Sequence, residues 1–399
     1  MNIGIVTTWF PAGAGYVSKA YEKTFVSSGH NVFIYARGGQ SRKGDTTWDR
    51  ANVTWAPSKI SLPTGIWEWH FRRWIRRNRI EMVLFNEQRS FQPIVVARSM
   101  GVIAGAYVDY YKQNTVEGFA LYDFLVCNTK RHYSVFKWHP HCFYIPWGTD
   151  VNTFNPKNSV NGKRPLTFLV NAGWQPKNTG DRRGTLLALK AFRLVVGDCR
   201  LLVYSQVSFG EMTPEWQSAV SGDSRVELRM GTFDPFPYSE GDVYVYPSRL
   251  DGIGLTLPEA VSCGLAAIVT DSPPMTEFIK DGETGFSVKV ASYLGRYDGY
   301  YWAESICCIE SLASAMTQYL KNPCILEAHK KNARTFALET LDWVKNSGCL
   351  VKEVLEVPPN GATRADYVLA KKMDCQNIFG WRTVVYEVYC LVRWCCYRG

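Results

Sequence analysis

Two carboxylates, Asp251 and Glu259, stand with seven residues between them in a chain of 399 residues. The segment between them carries Gly252 and Gly254, and Pro258 lies directly before Glu259. Proline suits the first turn of a helix. Glycines ahead of a helix let a phosphate approach the backbone amides, and the aligned peptide dipoles favour the anion there. Carboxylates on either side of such a loop can accept hydrogen bonds from the hydroxyls of a sugar or a ribose. A Gly-x-Gly before a helix is also common, and an acidic residue at a helix start often only caps it. The loop by itself leaves both readings open.

The elements that must hold these residues are legible around them. A strand over 242–246 ends at Pro247-Ser248, a helix starts near Leu257-Pro258, a strand follows over 266–270, and the turn 281–285 leads into a strand over 286–288. Earlier, a strand over 3–8, a glycine-containing loop over 11–15, a helix reaching about Ser28 and a strand over 32–36 form a βαβ opening, which predicts a parallel, doubly wound sheet. Further strands are expected at 82–85, 103–108, 124–127 and 143–145. After a polar stretch over 155–165, a second series runs through 166–171, 200–205 and 226–230, with a helix over 184–196. The fold class is therefore α/β, with two Rossmann-like doubly wound domains facing a cleft. The first domain spans 1–155 and the second 156–375. A C-terminal helix over about 376–399 is expected to pack back on the first. Open sheets of this kind bind ligands at the carboxyl ends of their strands.

Composition narrows the function classes. Hydrophobic residues make up 46% and charged residues 20%, an ordinary globular balance. The net charge of +9 favours anionic partners, yet no long Lys/Arg run occurs, so a nucleic-acid partner is not expected. The densest basic patch, Arg72, Arg73, Arg76, Arg77 and Arg79, reads as a solvated helix face. The 12 cysteines and six histidines lack metal-ligand spacing, so no metal site is expected. No apolar run reaches membrane-spanning length, and the N-terminus lacks the pattern of a signal peptide. The expected location is cytoplasmic, with peripheral membrane association left open.

The block from Tyr246 to Val288 resembles the signature region of glycosyltransferase family 4, retaining enzymes of the GT-B fold. Pro247-Ser248, Gly252, Gly254-Leu255, Pro258-Glu259-Ala260, Gly264 and Asp281-Gly282 through Gly285 carry the likeness. Gly13, Gly15 and Gly29-His30-Asn31-Val32 resemble the family's opening, Ile145 to Asp150 the end of its first domain, and Leu169 to Gly173 with Arg183-Gly184 the start of its second. The resemblance implies that Glu259 holds the ribose hydroxyls of a nucleotide sugar. It places Asp251 by the donor sugar, and the amides of Gly252, Ile253, Gly254 and Leu255 near sugar and phosphate. Gly13, Gly15 and Gly173 join the donor site on the same ground.

Several positions depart from the family pattern. Asp251 stands where Glu is usual, so its carboxylate retreats by roughly 1.5 Å, one carbon–carbon bond. Trp174 replaces a common arginine. Arg183, with Lys177 and Arg182 nearby, is left to clamp the diphosphate. The family's first-domain histidine is missing from Val108-Asp109-Tyr110, which leaves Asp109 as substitute, and Glu87 is expected on the same side. The catalytic candidates are thus Asp251, Arg183, Asp109 and Glu87.

The expected activity is metal-independent, retaining transfer of a hexose from a nucleoside-diphosphate sugar to a glycan or other hydroxyl acceptor. GDP-mannose is placed ahead of UDP-glucose as donor, and no cofactor is needed. The base pocket is expected near Gly231 to Pro237. A nucleotide-sugar epimerase, a DNA glycosyltransferase, a binding-only scaffold and a homodimeric state stay open.

Overall fold

The structure is a computed structural model that describes residues 1–37, 42–59, 61–156, 164–175, 180–296 and 298–375. The chain forms two compact units, one of residues 1–145 and 347–399 and the other of residues 146–346.

Unit 1 is built on β1 (Asn2–Thr8), β2 (Asn31–Arg37), β3 (Val53–Trp55), β4 (Met82–Asn86), β5 (Ile103–Tyr107), β6 (Phe124–Cys127) and β7 (Cys142–Tyr144). They make one sheet of order β3-β2-β1-β4-β5-β6-β7, and every adjacent pair is parallel. β4 and β5 are buried along their whole length. That burial explains their unbroken apolar runs, because a parallel strand covered on both faces has no polar side to alternate. The helices α1 (Gly13–Ser27), α2 (Glu68–Asn78), α3 (Gln92–Arg98) and α4 (Lys130–Phe136) alternate with these strands. α1 stops at Gly29, whose φ of 84° is left-handed, and the His30 N–H folds back onto the Phe25 carbonyl at 3.1 Å.

Unit 2 repeats the plan. Its strands are β8 (Leu166–Gly173), β9 (Cys199–Ser205), β10 (Val226–Met230), β11 (Val243–Tyr246), β12 (Ala266–Thr270) and β13 (Gly285–Val288). Their order is β10-β9-β8-β11-β12-β13, again all parallel. α5 (Thr185–Phe192), α6 (Pro214–Ser221), α7 (Thr256–Ser262), α8 (Ile309–Lys321) and α9 (Pro323–Thr340) accompany them. An antiparallel hairpin of β14 (Val290–Leu294) and β15 (Glu304–Cys307) is appended. In each unit the strand order reverses beside the first strand, between β1 and β4 and between β8 and β11. These are the topological switch points where open sheets bind ligands.

The units divide at 145/146 and 346/347, where the sequence suggests 155/156 and 375/376. The reason lies in how the connecting segments are tied. The Thr149 N–H donates to Leu341 O at 2.7 Å, and the Trp343 N–H donates to Thr149 O at 3.0 Å. The Trp147 and Trp343 rings pack 4.5 Å apart. Arg334 grips the carbonyls of Val151 and Phe154. All of these partners lie in unit 2. After α10 (Trp343–Asn346) the chain returns to unit 1 with α11 (Leu350–Leu355) and α12 (Arg364–Cys375), and α12 packs on α3. Buried Arg98 holds this return: its guanidinium donates to the carbonyls of Asn360, Gly361 and Leu121 and lies 3.4 Å from Asp123 and 3.6 Å from Asp366. The helix expected over 376–399 lies outside the described residues, as does most of the polar stretch over 155–165.

Candidate functional site

In unit 2 the switch point gathers most of the residues singled out in the sequence. β8 ends at Gly173, which has a φ of 62°, and a Cβ there would stand 3.3 Å from Arg183 Nε. Arg183 therefore lies against the glycine. Gly184, with a φ of 68°, opens α5, and a Cβ on it would meet the Pro247 carbonyl oxygen at 2.0 Å. The close approach fixes the loop after β11 against the start of α5. Asp181 accepts the N–H groups of Thr185 and Leu186 at 2.8 and 2.9 Å, which satisfies the first-turn donors of that helix. Arg183 Nη1 is buried and has no hydrogen-bond partner among the described residues.

The loop after β11 carries the two carboxylates. Asp251 accepts from Arg182 Nη1 at 2.9 Å, from Ser248 Oγ at 3.1 Å and from the Tyr246 hydroxyl. Burial alone would raise its pKa, but the guanidinium groups of Arg182 and Arg183 outweigh that and hold it below the usual carboxylate value. Gly254 has a φ of 86° and passes over Tyr246, so a Cβ would lie 3.1 Å from that hydroxyl. Ile253 is buried and Leu255 precedes α7. Glu259 sits in the first turn of α7 and accepts the Tyr238 hydroxyl at 2.6 Å. Burial pushes its pKa up to about 7, against the lowering effects of that hydrogen bond and of Arg183. A carboxylate, an arginine that acts on it and an N-terminal helical turn thus share one corner of the unit.

Sequence reasoning missed the tyrosines that support this corner. Tyr244 and Tyr246 alternate along β11 and stack with ring centroids 5.6 Å apart. Tyr244 donates to Thr256 Oγ1 at 2.7 Å, and Tyr238 also reaches the Thr256 carbonyl at 3.1 Å. The signal was present in Tyr-x-Tyr on a buried strand, because a buried phenol needs a partner. Ser248 entered only as part of the Pro247-Ser248 strand end, and Asp181 was passed over for want of any such pattern. In the stretch 231–237, Phe233 is exposed and packs edge-on against Tyr204 at 4.9 Å. Phe236 bridges Tyr204 and Tyr238. Arg182 is engaged with Asp251 and the Leu250 carbonyl, and Lys177 lies outside the described residues.

The remaining candidates belong to unit 1. Glu87 follows β4 with a φ of 52°, uncommon for a residue with a side chain. Buried Arg37, at the end of β2, donates to the carbonyl oxygens of Asn86 and Glu87. Asp109 follows β5 and is partly buried. Gly13 begins α1 with open space where a Cβ would stand, whereas a Cβ on Gly15 would overlap the Phe10 carbonyl at 2.1 Å. Gly15 is therefore required by packing. Among the described residues no three His, Cys, Asp or Glu side chains could hold a metal ion together, and no helix is long and apolar enough to cross a membrane.

Residues 236–293 match the family model of "Glycosyl transferases group 1". That segment contains Asp251, Glu259 and Tyr238. The lipopolysaccharide core biosynthesis mannosyltransferase LpcC of Rhizobium leguminosarum bv. viciae is 36% identical over 107 residues, which is 26% of this chain and 26% of that protein. The match thus spans about a quarter of the relative's length. Among solved structures, a glycosyltransferase from Rickettsia africae ESF-5 superposes with a TM-score of 0.71 at 14% identity, covering 89% of this chain and 98% of that one. Anabaena Alr3699/HepE in complex with UDP and glucose gives 0.66 at 12% identity, over 89% and 99%. WaaG, a glycosyltransferase involved in lipopolysaccharide biosynthesis, gives 0.62 at 15%, over 88% and 99%. At these identities the likeness is one of fold. The chain has the GT-B fold of two Rossmann-like units.

Proposed function

We propose that the chain is a glycosyltransferase that takes its sugar from a nucleotide sugar bound at the switch point of unit 2. The observation that carries this reading is Arg183 Nη1, buried beside left-handed Gly173 and without a partner among the described residues. An unpaired buried guanidinium N–H costs free energy until an anion meets it, and a diphosphate suits it. Glu259, one turn into α7, is then the acceptor for ribose hydroxyls. The match of residues 236–293 to group 1 glycosyl transferases supports the same assignment.

In this mechanism the bond from the sugar to phosphate stretches towards an oxocarbenium-like state. Arg183 and the amides of Gly252 to Leu255 stabilise the departing diphosphate, with no metal required. The configuration is retained, and a leaving-phosphate oxygen takes the acceptor's proton. The donor is GDP-mannose before UDP-glucose, and the acceptor is a glycan hydroxyl. The mannosyltransferase named above favours that order. Asp251 orients Arg182 and the loop, because Tyr246, Ser248 and Arg182 all engage its carboxylate.

Calorimetric titration with a panel of nucleotide sugars tests the class and the donor together. We expect one of them to bind, and Glu259→Ala to abolish that binding in a folded protein. Unchanged affinity in the variant would remove the ribose assignment.

A further inference from the structure

The hairpin of β14 and β15 is tied to the loops that follow β11 and β12, at the carboxyl edge of the unit 2 sheet. The Ser305 N–H donates to the Arg249 carbonyl at 2.8 Å. The Ser305 hydroxyl donates to Ser272 Oγ, just past β12, at 2.8 Å. One residue back on β15, Glu304 pairs with the Arg249 guanidinium at 2.7 Å. The match to group 1 glycosyl transferases ends at residue 293, inside β14. These contacts therefore come from a strand outside the matched segment.

Arg249 joins the hairpin to the arginines of the donor site. Its carbonyl accepts from Ser305, and its own N–H donates to the Arg182 carbonyl at 2.9 Å. Arg182 in turn donates to the Leu250 carbonyl at 3.1 Å and to Asp251 at 2.9 Å. The segment that carries Arg182 and Arg183 thus hangs on 249–251, and residue 249 hangs on β15. The Arg249 charge also opposes the effect of burial on the Asp181 carboxyl, the group that accepts the first N–H bonds of α5. Arg249 supports the arginine segment at both of its ends.

The ion pair is placed where it matters. The Glu304 and Arg249 side chains are 18% and 19% exposed, so solvent screens them less than a surface pair. Arg249 Nε is buried and has no partner among the described residues. Among those residues, Glu304 is the carboxylate within ion-pair distance of this guanidinium. Without it a mostly buried cation loses its counter-charge, which favours rotation of the side chain towards water. The loop 248–251 then loses an anchor on β15, and the Arg182 carbonyl loses a firmly placed donor. A binding group keeps its geometry only while the groups behind it are fixed.

We propose that Glu304 is a positioning residue for the donor site: through Arg249 it holds the 182–183 segment where Arg183 can meet a diphosphate. The proposal rests on the donor reading above. The experiment compares the full-length wild type with Glu304→Gln, Arg249→Gln and Arg249→Lys. Calorimetry uses GDP and UDP beside guanosine and uridine, and amide hydrogen exchange is followed without ligand. We expect Glu304→Gln and Arg249→Gln to weaken diphosphate binding by about threefold or more, the lower part of the range for residues coupled in one network, and to leave nucleoside binding within about twofold. Arg249→Lys keeps a cation for Glu304 and should stay closer to the wild type than Arg249→Gln. In the free protein, the Arg249 and Ser305 amides should exchange faster in Glu304→Gln. Equal losses for diphosphate and nucleoside would mark a purely structural role and overturn the proposal, as would unchanged exchange of both amides. A wild type that binds no nucleotide fails the donor reading and the proposal with it. A wild type that binds GDP or UDP, with variants that bind it equally well, fails the proposal alone.

Discussion

Glu259→Gln isolates the most consequential charge in unit 2. Burial holds the folded carboxyl near 7, against an ordinary value of 4.5. Because the folded pKa is the higher one, the glutamate favours folding when protonated. That contribution is full below the unfolded value and is lost as pH rises towards and through 7. Between about pH 5.5 and 8.5 the folded group releases roughly one proton equivalent over half of the interval, while the unfolded one is already ionised. Proton linkage then gives a loss of about 2 kcal/mol that glutamine would not suffer. With a urea slope of about 2 kcal/mol per molar, this moves the unfolding midpoint of unit 2 by about 1 M. The assay is urea denaturation of both proteins at the two pH values. The wild type should lose stability relative to Glu259→Gln as pH rises. Nucleotide binding should show the opposite trend in the wild type, strengthening as the carboxylate forms, and stay flat in the variant. Parallel pH dependence of the two denaturation midpoints would refute the argument, because Glu259 would then titrate as an exposed acid.

Arg183→Ala should weaken nucleoside diphosphate binding by about 1.5–3 kcal/mol, the range for a hydrogen bond to a charged group, and free nucleoside binding much less. Equal losses in calorimetry for both ligands would sink that role. Removing Arg183 also deprives Glu259 of a favourable charge, so the pH midpoint of binding should move upward. Gly184→Ala places a Cβ on the Pro247 carbonyl at a left-handed φ and should cost about 1–3 kcal/mol or more in denaturant unfolding; an unchanged midpoint would show that the loop yields. Asp374→Ala leaves the Phe91 and Gln92 amides and the Ser90 hydroxyl without their acceptor. It should destabilise unit 1 by about 1–3 kcal/mol, read as faster amide exchange at 90–92, and unaltered exchange there would contradict it.

Most of the sheet framework was legible because parallel strands announce themselves. The runs at 3–8, 82–85, 124–127 and 266–270 are apolar on both faces, and each became a strand within a residue or two. β3 escaped notice because three residues carry no period. The hairpin 290–307 escaped because β14 is largely exposed and lacks an apolar stripe. In the site, the spacing of Asp251 and Glu259 around a glycine loop stood out, and Gly173 and Arg183 entered through the family resemblance. Their partners carried no such signal: Tyr238 reaches Glu259 across 21 positions, and Arg182 reaches Asp251 across 69. Such pairs depend on where the sheet brings loops together, which local pattern does not encode. The unit boundaries differ from the expected ones in the same way, since Thr149 is tied to Leu341 and Trp343 by backbone bonds.

The return of the chain to unit 1 sets an order of assembly. Unit 2 is continuous from 146 to 346, so it has all its parts as soon as that stretch is made. Unit 1 starts earlier but closes later. Arg98 waits for the carbonyls of Asn360 and Gly361, and the loop 90–92 waits for Asp374. During synthesis the first domain to emerge is therefore the last to be completed, and it stands with open hydrogen-bond donors while the second folds. The contacts that close unit 1 therefore come from the last of its described residues, Asn360 to Asp374.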